Sequence, residues 1–126
     1  KIRAQYRLGW CFYGKKQYDK AAELYESALQ AVPEELAIVA AWQAGESRLH
    51  NKEYALASAH YQTAIKAGKP EDKNLIQLQG QARLRLGHSQ AQEKKSRKKG
   101  KKMIVGLVLA LILFILFCLM MSKAGF

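Results

Sequence analysis

The sequence predicts an all-α chain: two helix-turn-helix repeats, a fifth helix, and a single membrane-spanning helix after them. Three observations carry this. No segment shows the period-two alternation of apolar and polar residues that a half-buried strand needs. The chain matches itself at a spacing of 36 residues, with Gly9 on Gly45, Tyr18 on Tyr54, Ala21 on Ala57, Tyr25 on Tyr61 and Ala28 on Ala64. Such self-similarity marks stacked supersecondary units. Residues 103–121, MIVGLVLALILFILFCLMM, form an uninterrupted run of 19 residues without a charge.

The elements follow in order. Helices are expected over residues 2–13, 18–31, 34–50 and 54–67, with polar breaks at Lys15 to Gln17 and Asn51 to Glu53. Breaks this short join antiparallel helix pairs. Pro33 suits the stop of the second helix and the first turn of the third. Gly9 and Gly45 mark close approach of two helices. Ala21, Ala28, Ala57 and Ala64 keep the second helix of each hairpin thin on its packing face, and Tyr25 and Tyr61 fill the space between hairpins. A fifth helix starts near Glu71 and carries Leu75, Ile76, Leu78, Ala82, Leu84 and Leu86, with a Gln- and Arg-rich opposite face. Gly87 is a breaking point, and residues 88–102 form a helical extension or a flexible tether.

These residues resemble the tetratricopeptide repeat. Its pattern is matched by Leu8-Gly9 with Phe12, Ala21 with Tyr25, then Ala28 and Pro33, and again by Ala44-Gly45, Ala57 with Tyr61, and Ala64. Arg48 stands where the second repeat would carry an aromatic. The resemblance implies repeats over residues 1–70 and a capping helix over 71–87; charge and hydropathy then give a basic linker over 88–102, the membrane helix over 103–121 and a short tail over 122–126. Three repeats are the usual minimum for such a stack. The chain starts at Lys1 within a helical pattern, so a further upstream part is expected.

The resemblance also implies a function in recognition. Repeats of this kind bind peptides on a concave face lined mainly by the first helix of each hairpin. That face would include Arg3, Tyr6, Trp10, Tyr13, Val39, Trp42, Glu46 and Leu49. Tyr6, Trp10 and Tyr13, spaced by four and three residues, lie on one helix face. They are either packing between helices or the aromatic anchors of a peptide groove. The subclass that grips chaperone C-termini uses Lys, Asn and Arg; here Tyr6, Trp10 and Gln43 stand at clamp positions, which argues against that role.

A net charge of +11 points to nucleic acid until it is divided along the chain. Lys94, Lys95, Arg97, Lys98, Lys99, Lys101 and Lys102 are packed into nine residues, whereas Lys1–Glu93 has 13 basic against 10 acidic residues. The cluster has no interleaved aromatics and adjoins the apolar run, so it reads as a topology signal or an anionic-lipid contact, with no nucleic-acid partner. Only Lys123 lies on the other flank, which orients the large domain towards the cytosol. A helix of 19 residues spans roughly 28 Å, close to the hydrocarbon thickness of a bilayer. The run is at the wrong end for a secretory signal, and the basic spacer is wrong for a lipid-anchor signal. A weakly basic tail favours the endoplasmic reticulum or a bacterial inner membrane over the mitochondrial outer membrane.

Nothing in the sequence calls for a metal, a cofactor or catalysis. Cys11 and Cys118 read as small apolar residues suited to a reducing compartment. His50, His60 and His88 are scattered, with His50 and His60 read as solvent-facing or turn residues. The expectation is a membrane-anchored, non-enzymatic adaptor or scaffold that binds a protein or peptide partner. Two alternatives stay open. One is a structural subunit of a membrane complex, for which Gly106 and Ala110 give a small-x-x-x-small helix contact. The other is the C-terminal part of an enzyme.

Overall fold

The computed structural model describes residues 2–30, 32 and 34–125, the side chains of Ile2, Glu34 and Glu35 excepted. Five helices follow one another: α1 (Ile2–Gly14), α2 (Tyr18–Leu29), α3 (Glu34–His50), α4 (Tyr54–Lys66) and α5 (Lys73–Lys123). Each of the first three packs on the next in the chain, giving two helical hairpins stacked side by side in a tetratricopeptide-like arrangement. The expected stop at Pro33 lies outside the described residues.

The two hairpin turns are copies of each other. Lys16 and Lys52 both adopt φ 61°, and in each turn the same two hydrogen bonds close the preceding helix. Lys16 N–H donates to the Tyr13 carbonyl and Gln17 N–H to Phe12; Lys52 N–H donates to Leu49 and Glu53 N–H to Arg48. This pair satisfies carbonyls that the end of a helix leaves open. The left-handed position normally holds glycine, and both turns hold lysine instead.

Packing within each hairpin is set by a glycine facing a tyrosine. A Cβ on Gly9 would sit 2.9 Å from Cε1 of Tyr25, and one on Gly45 would sit 2.7 Å from Cε1 of Tyr61. The close approach read from the sequence is therefore made to a tyrosine ring rather than to a facing backbone. Both rings are fully buried. Tyr25 also packs with Ala21 and with Ala44 of α3, so one ring serves both the hairpin and the stacking contact.

Helix α5 completes residues 1–93. Ala82 joins the cluster of Ala41, Ala57, Tyr61 and Ala64, with Leu86 against it. Gln79 is buried, and its amide Nε2 donates to the carbonyls of Ala64 at 3.0 Å and Gly68 at 3.1 Å. Ala64 carries an open carbonyl in the last turn of α4 and Gly68 follows its C-cap, so a side chain from the next helix caps it. The Gln-rich face of α5 is thus not wholly a solvent face. Nor does Gly87 break the helix: residues 88–102 are helical throughout.

The described residues from Lys94 onwards form a separate unit. All seven basic residues of the cluster are exposed, and residues 103–121 present an exposed apolar surface. This helix holds an 18-residue window of mean hydropathy 3.2 with none of it buried, long and apolar enough to cross a membrane.

Candidate functional site

The aromatic stripe of α1 divides into three environments. Tyr6 is half-buried, its ring edge-on to Tyr25 at 5.3 Å between centroids, and burial raises its phenol pKa. Trp10 is 56% exposed. Tyr13 turns towards the end of its hairpin, edge-on to Tyr18 and to His50 of α3, while His50 stacks on Tyr18 at 4.8 Å. Burial, followed by the nearby Glu46 carboxylate and Tyr18, raises the Tyr13 pKa against the opposing effect of Arg85.

On α3 the expected groove residues also separate. Val39 is half-buried and lines a cleft of about 330 Å³ with Arg3, Tyr6, Arg7, Leu36 and Ala40. Trp42 packs tilted on Tyr61 at 5.6 Å, and Leu49 packs on the cluster around Tyr61. Glu46 is 9% exposed; it accepts a hydrogen bond from the Tyr61 hydroxyl at 2.6 Å and pairs with Nε of Arg85 at 3.2 Å. Burial and then this carboxylate push the Tyr61 hydroxyl far above its ordinary pKa, keeping it a proton donor.

The eight residues are therefore not one continuous lining. Arg3, Tyr6 and Val39 meet in the cleft between α1 and α3. Trp10 is exposed on α1, and Tyr13 belongs to the aromatic cluster at the hairpin end. Trp42, Glu46 and Leu49 belong to packing that α5 completes. Beside Trp42, a second depression of about 390 Å³ is walled by Gln81, Leu84, Arg85 and His88 of α5. Arg7 and Leu36 enter the cleft without having been singled out by sequence. Their signal is positional, since Arg7 stands four residues after Arg3 and Leu36 three before Val39.

Arg48, the departure from the repeat pattern, is the centre of a charged network across three helices. It donates to both oxygens of Glu26 on α2, at 2.8 and 3.0 Å, and to both oxygens of Glu53 at 3.1 Å. His60 of α4 lies 2.8 Å from Glu26 Oε1, so it is a half-buried partner rather than a solvent-facing residue. Burial alone would raise the Glu26 pKa, but hydrogen bonds from Arg48 and His60 outweigh it and hold the carboxyl below its ordinary value. The guanidinium fork supplies in charge what an aromatic would supply in packing.

Among the described residues no group of three or more His, Cys, Asp or Glu side chains could hold a metal ion. Viewed down α5 at about 100° per residue, the seven basic residues of the cluster occupy an arc of roughly 200°, with Ser96 and Gly100 outside it.

Residues 2–35 match the tetratricopeptide repeat family. The matched segment spans α1, its turn and α2, the first hairpin. The second hairpin repeats its turn hydrogen bonds and its glycine–tyrosine contact 36 residues on. No curated protein and no solved structure matches the chain. Repeats of this family are typically non-catalytic modules of protein–protein interaction.

Proposed function

We propose that this protein is a membrane-anchored tetratricopeptide adaptor that binds a peptide or protein partner beside the membrane, with its hairpins in the cytosol. The observation that carries the reading is the cleft between α1 and α3. It is lined by Tyr6, Leu36, Val39 and Ala40, with Arg3 and Arg7 at its edge and the exposed Trp10 on the same helix. An apolar recess with a few polar groups and an exposed aromatic is the usual composition of a peptide anchor site. The groove in this reading comprises Arg3, Tyr6, Trp10 and Val39. Tyr13, Trp42, Glu46 and Leu49 lie outside it, in the packing at the hairpin end and against α5.

The anchor reading is supported by the uncharged run over residues 103–121 and by the basic cluster on one flank. The cluster favours a cytosolic domain and attraction to anionic head groups, at about 1 kcal/mol per basic residue near the surface. Lateral contact with other membrane helices through Gly106 and Ala110 fits the same topology.

Trp10→Ala tests the groove. Proximity labelling from the hairpin domain in cells should lose a defined set of neighbours in this variant, while helicity and melting temperature stay near those of the parent. Trp10 is largely exposed, so its loss opens no cavity. An unchanged neighbour set would refute the groove reading. Digestion of the hairpins by protease in sealed vesicles, added from the cytosolic side only, tests the orientation.

A further inference from the structure

Helix α5 begins a third hairpin that the chain does not finish. A step of 35 residues carries Gly45 to Gly80, Arg48 to Arg83 and Leu49 to Leu84. The packing agrees with this step. Ala44 and Ser47 of α3 are buried, Ala44 against α2; at their places on α5, Gln79 and Ala82 are buried against α4. The other face of α3 is closed by its own hairpin mate. Ala41 and Leu49 pack in the cluster around Tyr61 of α4, and Gly45 faces the same ring. On α5 the three equivalent places are open. Ile76 is 51% exposed and Leu84 78%, and a Cβ on Gly80 would meet no heavy atom within 4 Å. Spaced by four residues each, they lie along one helix face.

The following residues do not supply the missing mate. α5 runs on to Lys123, and Gly87, at the place of the left-handed Lys52, stays helical. Where α4 has Ala57, Tyr61 and Ala64, the sequence 35 residues on has Gln92, Ser96 and Lys99, with no ring to seat.

Charge selects the occupant. Arg48 of α3 is met by Glu26 of α2 and by Glu53, the N-cap of α4. At Arg83 both carboxylates are missing, since Gln62 stands at the place of Glu26 on α4 and no acidic residue occurs over residues 73–92. Lys73 and Arg83 are exposed and make no ion pair with another described residue. A second copy placed α5 on α5 would set these cations against their own kind, which is unfavourable. We infer that the Ile76–Gly80–Leu84 face of α5 is a docking surface for an acidic amphipathic helix of a partner protein, which seats an aromatic ring over Gly80. The helix lies on α5 as α4 lies on α3, with a carboxylate at its N-terminal end beside Arg83. This surface is distinct from the cleft between α1 and α3.

The test uses the full chain in nanodiscs of phosphatidylcholine and three synthetic helices, each carrying a fluorophore for anisotropy. The first copies the spacing of α4: glutamate at the N-cap, tyrosine eight residues on, alanine four before and three after the tyrosine, and glutamate along the edges. The second has alanine for the tyrosine, and the third lysine for every glutamate. The first should bind, the second at least about tenfold more weakly, and the third not at all. Gly80→Leu fills the seat of the ring without touching another part of the chain. It should abolish binding of the first helix while helicity and melting temperature hold or rise, because glycine inside a helix is unfavourable. Arg83→Glu should weaken the first helix. No binding of the first helix, or equal binding of the first and second, would overturn the proposal. Binding that survives Gly80→Leu would place the peptide on the basic cluster and overturn it too. So would a concentration-dependent dimer in sedimentation that Gly80→Leu dissolves, since a second copy would then be the occupant.

Discussion

Replacing Tyr25 by Phe, and separately Tyr61 by Phe, removes one oxygen from two rings at equivalent places in the two hairpins. The outcomes should have opposite signs. The Tyr61 hydroxyl donates to Glu46 at 2.6 Å, whereas the buried Tyr25 hydroxyl has no hydrogen-bond partner among the described residues. The difference lies 36 residues upstream of Glu46, where Trp10 offers no carboxylate to the Tyr25 hydroxyl. A hydrogen bond to a charged group contributes about 1.5–3 kcal/mol, so Tyr61→Phe should lose roughly that much. An unpartnered buried hydroxyl costs roughly 1–3 kcal/mol, and the small void left by its removal returns part of this. Tyr25→Phe should therefore be neutral or more stable by about 1 kcal/mol. At about 4–8 °C per kcal/mol for a domain of this size, Tyr61→Phe should melt at least about 6 °C lower and Tyr25→Phe no lower than the parent. Thermal unfolding of the full chain in detergent, followed by near-ultraviolet circular dichroism, reports the hairpins rather than the apolar helix. Equal losses in the two variants would refute the reasoning, because the paired and unpaired hydroxyls would then be energetically alike.

Gly45→Ala should cost about 1–2 kcal/mol, since the clash with the Tyr61 ring outweighs the gain of about 1 kcal/mol in helix propensity; urea unfolding measures it. Lys52→Gly should add about 0.5–1 kcal/mol in the same assay by relieving a left-handed backbone position, after the greater freedom of glycine in the unfolded chain is subtracted. The Glu26 pKa is held below its ordinary 4.5, so its contribution to stability is present above that value and is lost as pH falls through and below it. Acid titration of the melting temperature should show this limb, and Glu26→Gln should flatten it. Trp42→Ala should destabilise by up to about 3–5 kcal/mol where Trp10→Ala does not, because Trp42 packs on Tyr61 and Trp10 is open; iodide quenching of the two single-Trp forms gives the same ranking.

The helices, the hairpin turns and the apolar segment were legible in the sequence because each depends on residues close together in the chain. Spacing placed Tyr6, Trp10 and Tyr13 on one face, and the polar breaks fell where the turns lie. The two glycines were legible for a related reason: they recur in step with Tyr25 and Tyr61. The candidate groove was legible only in part. Periodicity names the face of a helix but not the element that covers it, so Trp10 and Trp42 looked equivalent before α5 was placed beside one of them.

What the sequence by itself determined is an all-helical repeat with a conspicuous apolar helix and basicity concentrated next to it. Tertiary structure alone decided how the polar groups are used. Gln79 caps α4 from 15 residues away, and Arg48 reaches Glu26 across 22 residues. Glu46 is taken up by Tyr61 and Arg85 instead of facing the groove. None of these pairs has a local spacing signal, because a hydrogen bond between helices depends on where whole helices pack. Tyr25 and Tyr61 make the same point within one molecule: the same residue, in the same motif, is partnered in one hairpin and unpartnered in the other, according to what the facing helix presents.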